Sequence, residues 1–463
     1  MYASLRFPTA PAEEFEYELT EDMLPFLSKC ALSEEERRAA MRFLRRVCPA
    51  EEVLAYRGQV GAELLSSPQL QRVFSDLARL GRNFPAGIPQ REVDQLRTLA
   101  RFETFAAEFD EFCKTLQGII PESDGAKRCL RFLKLYEESF EYKELKHKAM
   151  DLIHAFGFDD GVALSVGSPN EEGISRLFRN DPSDGIDASV LRVMKEFDIT
   201  PPQETVPPPR DYTDTEAAVL TGMIRGKSEL GRRMEEFFAL YTACGTQDIL
   251  RLCDEAYCFS VMNKIYTQGC AMGYGVCCPT YLPMGFYTEL TDLYYPTEQG
   301  DCARADYIAS PLNHITLVCG PDSEAYLNSV AMAHVFASAG GLVFAESARI
   351  SPIDRPERDR KEQINITNLN EHSLCLCAHL FDVMLPRQEE AAVSEVIRQL
   401  SERTVRSVVR ICSKSNLTAL EKQMEKGSLP SCTLLQAGTD RTLEDLLKRH
   451  NLTAEELEGN RND

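Results

Sequence analysis

The stretch Ile315-Thr-Leu-Val-Cys-Gly-Pro-Asp-Ser-Glu-Ala-Tyr-Leu-Asn-Ser-Val-Ala331 decides how this chain is read. Ile315 to Cys319 is an unbroken apolar run of the kind that forms a strand buried on both faces. Gly320-Pro321 interrupts it, and a helical pattern leaves from Tyr326. Strand, glycine turn and helix together make the setting in which backbone N–H groups wrap phosphates. Such a loop also needs a Lys to neutralise charge and a Ser or Thr to hold Mg²⁺. Here no second glycine, no lysine and no Lys-Ser/Thr pair follows Gly320. Asp322 and Glu324 stand there instead, and their charge opposes a phosphate. Gly320, Pro321, Asp322 and Ser323 are thus expected to form the remnant of a nucleotide-binding loop.

Downstream, Ala337-Ser-Ala-Gly-Gly-Leu-Val-Phe-Ala-Glu-Ser-Ala-Arg-Ile-Ser-Pro-Ile-Asp-Arg355 extends the pattern. The combined region closely resembles the MutS mismatch-repair ATPases. That family reads Gly-Pro-Asn, Gly-Gly-Lys-Ser-Thr and Tyr-Leu-Arg, and later Phe-Val-Pro-Ala-Glu-x-Ala. This chain carries Gly320-Pro321, Tyr326-Leu327, Val330-Ala331, Gly340, Val343, Ala345-Glu346, Ala348, Ile350 and Asp354 in the same order. It is shorter by the positions that should hold Gly, Lys and Ser.

The resemblance also locates the other parts of a phosphoryl-transfer site, which needs an acid at a strand end for Mg²⁺ and a carboxylate to orient water. The family's Ser-Leu-Val-Leu-Leu-Asp-Glu corresponds to Ser373-Leu-Cys-Leu-Cys-Ala-His379, so Ala378 and His379 replace both acids. Its Ala-Thr-His-Tyr-His-Glu-Leu corresponds to Ile411-Cys-Ser-Lys-Ser-Asn-Leu417, with Ser413 and Ser415 for the histidines. Cys302 falls where the family stacks an aromatic on adenine, and Tyr295-Pro296 replaces an Arg-His-Pro-type turn. Lysine, magnesium acid, catalytic carboxylate and sensor histidine are missing together.

Composition agrees with a globular protein. The chain has 463 residues, 43% of them hydrophobic and 27% charged, enough for two to four domains. No apolar run reaches membrane-spanning length and Met1 to Pro8 lacks a signal-type apolar region, so a cytoplasmic location is expected. Sixteen cysteines then read as reduced, mostly buried thiols. Neither Cys270…Cys277-Cys278 nor Cys375-x-Cys377 has zinc-ligand spacing, so no metal site is expected. Cys375, Cys377 and His379 lie along one apolar strand, where alternation separates neighbouring side chains and argues against a thiol–imidazole pair. The net charge of −21 disfavours non-specific nucleic-acid binding.

The first half reads as helices. Ser33-Glu-Glu-Glu36 is a capping box leading through Leu44, and Ser67-Pro68 starts a helix that Gly81 is expected to stop. Long amphipathic stretches cover 90–118 and 126–156. Leu54 to Leu77 loosely resembles the start of the MutS lever and core region. Phe109-Asp110-Glu111 spells the letters of a mismatch-reading wedge, but its place on an amphipathic helix makes Phe109 a core residue.

The expected fold is an α-helical lever and core region over residues 1–285, with an insert or linker near 162–214. An α/β domain of P-loop type, resembling the MutS C-terminal ATPase and built on a mostly parallel sheet, follows over 286–440. A helical tail covers 441–463. The resemblance implies a pseudo-ATPase, with no catalytic residue and no cofactor. It would act as a structural or regulatory partner in DNA mismatch repair or related DNA transactions, as a homodimer or with a MutS-like protein. Mg·ATP and DNA are the ligands of an alternative reading, a working ATPase with a variant loop. An acidic protein-interaction scaffold that binds no DNA is the other. On the dead-site reading, Leu317 and Leu376 point into the core, while changes at Asp322, Ser323 or Glu324 leave stability untouched.

Overall fold

A proline and a serine cap start the first two helices. Pro25 sits in the first turn of α1 (Pro25–Lys29), where its missing N–H costs nothing. Ser33 caps α2 (Glu34–Leu44): its Oγ accepts from Glu36 N at 3.2 Å, and Glu36 Oε2 accepts from Ser33 N at 2.7 Å. The computed structural model describes residues 3–9, 14–16, 19, 24–82, 92–156, 228–244, 246–283, 287–297, 300–359, 366–378, 389–411 and 432–437. The segment 162–214, His379, the run 412–417 and the tail 441–463 lie outside the described residues.

The other helices are α3 (Glu51–Ser66), α4 (Pro68–Arg82), α5 (Glu92–Thr115), α6 (Asp124–Glu138), α7 (Phe140–Phe156), α8 (Ser228–Ala243), α9 (Thr246–Ala271), α10 (Ser323–Ser338) and α11 (Glu389–Arg403). The strands are β1 (Phe15–Glu16), β2 (Arg46–Val47), β3 (Thr280–Tyr281), β4 (Thr288–Pro296), β5 (Cys302–Ala309), β6 (Ile315–Cys319), β7 (Ser347–Ile350), β8 (Arg355–Arg358), β9 (Ser373–Cys377), β10 (Arg406–Ile411) and β11 (Thr433–Gln436). Gly81 does not stop α4, which runs on to Arg82. A Cβ at Gly81 would lie 2.4 Å from Cys253 Cβ, so this glycine serves close packing, a tertiary demand that local stop signals miss.

The chain divides into two compact units. One comprises Met1–Ser4, Arg72–Ile120 and Lys127–Tyr257; the other comprises Leu5–Gln71, Pro121–Ala126 and Cys258–Asp463. The first is helical around an aromatic core. Phe109 is fully buried, stacked on Phe105 at 5.4 Å and edge-on to Tyr136 and Tyr142, as befits a core residue. Tyr142 donates to Asp110 Oδ1 at 3.0 Å, and Lys146 pairs with the same carboxylate.

The second unit is α/β. Its main sheet is all-parallel, with order β11-β6-β10-β9-β8. Every residue of β6 and β9 is buried, and β10 lies between those two strands. A second, mixed sheet of order β3-β7-β4-β5 holds the antiparallel β4–β5 pair. Helix α10 packs against β4 and against β6, β9 and β10. Thirteen of its sixteen residues are buried, and an apolar surface on all sides is what such a doubly packed helix requires. Ala331, Ala333 and Ala337 keep that surface small.

Candidate functional site

Strand β6 ends in Gly320, whose φ of +96° lies in the left-handed region. A Cβ there would sit 2.3 Å from the Ala437 carbonyl oxygen, so only glycine fits. Three residues, Gly320, Pro321 and Asp322, separate strand from helix. Few donors here point outward. Pro321 has no N–H, Asp322 N donates to Ala437 O at 3.1 Å, and Ser323 N donates to Gly320 O at 3.2 Å. A turn this short, with the Asp322 and Ser323 amides turned onto protein carbonyls, has no cradle for a phosphate chain.

The residues after the turn are not idle, contrary to expectation. Ser323 is fully buried and its Oγ accepts from Arg410 Nε at 3.1 Å. Glu324 Oε2 accepts from Arg410 Nη1 at 2.9 Å, while its Oε1 accepts from Arg358 Nη2 at 3.3 Å. Arg358 also donates to Asn328 Oδ1 at 2.6 Å, one turn along the helix. The side chain of Arg358 is 5% exposed and that of Arg410 19%, whereas Glu324 keeps 41%. Glu324 is therefore a carboxylate held between two guanidinium groups, one of them buried.

This cluster occupies the switch point of the parallel sheet. The chain leaves β6 toward the β8 edge, yet the strand following β10 is β11, on the opposite side of β6. Connections that diverge in this way open a crevice at the carboxyl ends of adjacent strands, where open α/β sheets bind ligands. The divergence here lies between β6 and β10, and Arg410 pairs in register with Val318 across it. A cavity of about 310 Å³ opens alongside, lined by Lys29, Arg410, Asp322 and Glu324 and by the rings of Phe26 and Tyr274. Its volume is at the lower end for a small-molecule site. Among the described residues no cysteine or histidine lines it, and those that do offer binding groups. Among the described residues no group of three or more His, Cys, Asp or Glu could hold a metal.

Ala378, at the end of β9, is buried, and its N–H donates to Asp359 Oδ1 at 2.8 Å. Asp359 follows β8 and is 2% exposed, so an acid from the neighbouring strand is turned onto this amide. Sequence reasoning missed it because it looked along one strand. Contrary to the expectation that alternation separates them, Cys375 and Cys377 share a face with their sulfurs 3.8 Å apart, because residues two apart on a strand point the same way. The Cys375 thiol and burial push the Cys377 thiol well up, which keeps it protonated and inert. Most described cysteines are buried, and all are free.

Two further arginines were not singled out by sequence. Arg57 of α3 is fully buried. It donates to Arg6 O at 2.9 Å, to Ala339 O at 3.2 Å and to Glu14 Oε1 at 2.6 Å. Arg406 of β10 is also fully buried, and it donates to Ser351 O at 2.8 Å, Pro352 O at 3.2 Å and Thr288 Oγ1 at 3.2 Å. Thr288 contacts His334 Nε2 at 3.2 Å, and His334 Nδ1 lies 2.9 Å from Val330 O. A carbonyl only accepts, so Nδ1 carries the proton and Nε2 accepts from the threonine. Burial, and then the Arg406 charge, lower the His334 pKa to about 3. Among the described residues no helix is long and apolar enough to cross a membrane. Neither a protein-family model nor a curated protein matches the chain.

Proposed function

We propose that the chain is a MutS-related ATPase homologue without catalysis, acting as a structural or regulatory partner of a MutS-like protein in DNA mismatch repair or a related DNA transaction. The order of matched residues from Gly320 to Asp354 supports the relationship. So does an α/β unit in which a buried strand meets a glycine turn and a helix at the carboxyl edge of a parallel sheet.

The observation that carries the loss of catalysis is the three-residue turn, too short to wrap a phosphate chain and with its Asp322 amide bonded to Ala437 O. ATP hydrolysis needs a cradle for the β- and γ-phosphates, a lysine, and an acid for Mg²⁺. The turn supplies none of them, and Ala378 stands where the acid belongs. Loss of catalysis in one partner is compatible with a surviving dimer face, as a self-complementary ATPase-type interface does not need two live sites.

Thermal unfolding with Mg·ATP, Mg·ADP and a non-hydrolysable ATP analogue tests the site. The expected result is no saturable shift, whereas ligand at a hundred times its Kd would add about 2.7 kcal/mol. A saturable rise of the midpoint would overturn the dead-site reading. Light scattering of the chain mixed with a complete MutS-like ATPase from the same source tests the partner. A mixed complex is expected, and two unchanged separate species would remove that part of the proposal.

A further inference from the structure

We infer that Glu324 is a tethered anion filling, and thereby closing, an oxyanion site built from Arg358, Arg410 and Ser323. The inference stands on the geometry of the cluster and does not rest on the family reading. Two guanidinium groups converge at the amino end of α10, where the helix dipole is positive and a cation is unfavourable. An anion between the arginines offsets that cost, and the Glu324 carboxylate is placed to do so.

The contacts resemble those of a bound oxyanion. Arg410 presents Nε and Nη1 toward neighbouring oxygens, Ser323 Oγ at 3.1 Å and Glu324 Oε2 at 2.9 Å. Arg358 approaches the second carboxylate oxygen from a buried position. A planar guanidinium is suited to this kind of paired recognition of carboxylate or phosphoryl oxygens. The cavity of about 310 Å³ beside the cluster gives a ligand room to enter and gives the half-exposed Glu324 room to leave. Arg358 retains Asn328 when Glu324 departs.

A group held on the same chain competes at an effective concentration of millimolar or more. Inorganic phosphate or pyrophosphate should therefore bind the wild-type protein at least about tenfold more weakly than a protein lacking the carboxylate. The test measures the thermal unfolding midpoint and isothermal titration with inorganic phosphate and pyrophosphate, without Mg²⁺. Sodium chloride at matched ionic strength is the control, and the proteins are wild type, Glu324→Ala, Glu324→Gln and Glu324→Ala/Arg410→Ala. The two single variants should melt below wild type in chloride. Pyrophosphate should raise their midpoints saturably, while wild type and the double variant stay unmoved.

Either single variant serves if the other fails to fold. Equal response of wild type and single variants, no response in a folded single variant, or an undiminished response in the double variant would each overturn the inference. Those outcomes leave the Mg·ATP result on the wild-type protein intact, so failure here is separable from failure of the proposed function.

Discussion

At its carboxyl end α10 meets Arg57; at its amino end it meets Arg358 and Arg410. Arg57 donates to the Ala339 carbonyl just beyond the last turn, where a helix leaves carbonyls unpaired and its dipole is negative. Around it the chain fits tightly. Gly340 has φ +81°, and a Cβ there would lie 2.7 Å from the Arg57 side chain, while Ser338 O accepts from Cys48 N and Ala337 O from Tyr281 Oη. The amino end has the opposite character. Its arginines oppose the dipole, their carboxylate is 41% exposed, and a cavity adjoins them. One end is arranged as a joint with nothing to spare. The other holds a partly exposed electrostatic arrangement beside open space, and binding properties are to be sought there.

The largest expected effect belongs to the joint. Arg57→Ala removes the fully buried guanidinium, takes one donor each from Arg6 O and Ala339 O, and strips Glu14 of one of its two arginines. Breaking a buried pair in this way costs about 3–5 kcal/mol. Denaturant unfolding should show that loss with an unchanged m-value. A loss below that of a surface ion pair, under about 1 kcal/mol, would mean that the carboxyl end is no more built than the amino end.

Much of the frame was legible because it depends on residues close in sequence. The five apolar letters of Ile315–Cys319 predict a strand buried on both faces, and all five are buried. Ser33 and Glu36 sit three apart and form their box. Gly320 announces a turn, and its positive φ requires glycine. What was not legible depends on distant partners. Glu324 reads as a stray acid because Arg358 lies 34 residues away and Arg410 86 residues away. Arg57 reads as one letter of a helical pattern, since Ala339 is 282 residues off. Asp359 escapes notice for the same reason, as its amide partner Ala378 belongs to the next strand in the sheet. Apolar periodicity encodes layers, whereas charge pairing across a sheet leaves no local trace.

The amino end predicts a middle-sized effect. Glu324→Ala leaves Arg358 and Arg410 facing each other at a positive helix end, yet both have second partners and solvent nearby. Losing hydrogen bonds to charged groups of this kind costs roughly 1–3 kcal/mol. The loss should shrink on adding Arg410→Ala, because the second change removes the cation that Glu324 Oε2 faced. A double variant whose loss is the simple sum of the two singles would show that the three groups do not act together. Ser323→Ala should behave like a milder version, losing one acceptor for Arg410 in a fully buried place.

The smallest effect sits in the middle of the helix and sets a baseline for both ends. His334 is fully buried, its ring proton is committed to Val330 O, and its pKa is held at about 3 against the ordinary imidazole value of 6.5. The folded-state value is depressed, so below pH 6.5 the unfolded chain takes up a proton that the folded chain refuses. This contribution is complete above that pH and is lost as the pH falls toward 3. Between pH 6.5 and 5.5 it amounts to about 1 kcal/mol, given roughly 1.4 kcal/mol per unit at the limit. His334→Gln abolishes this contribution whatever its absolute cost. Wild type should therefore lose about 1 kcal/mol more than His334→Gln over that interval in paired denaturant titrations. Equal slopes would mean that protonated His334 is tolerated between the sheets. The interior of α10 would then be as accommodating to charge as its amino end, and the contrast between joint and binding end would fail at its centre.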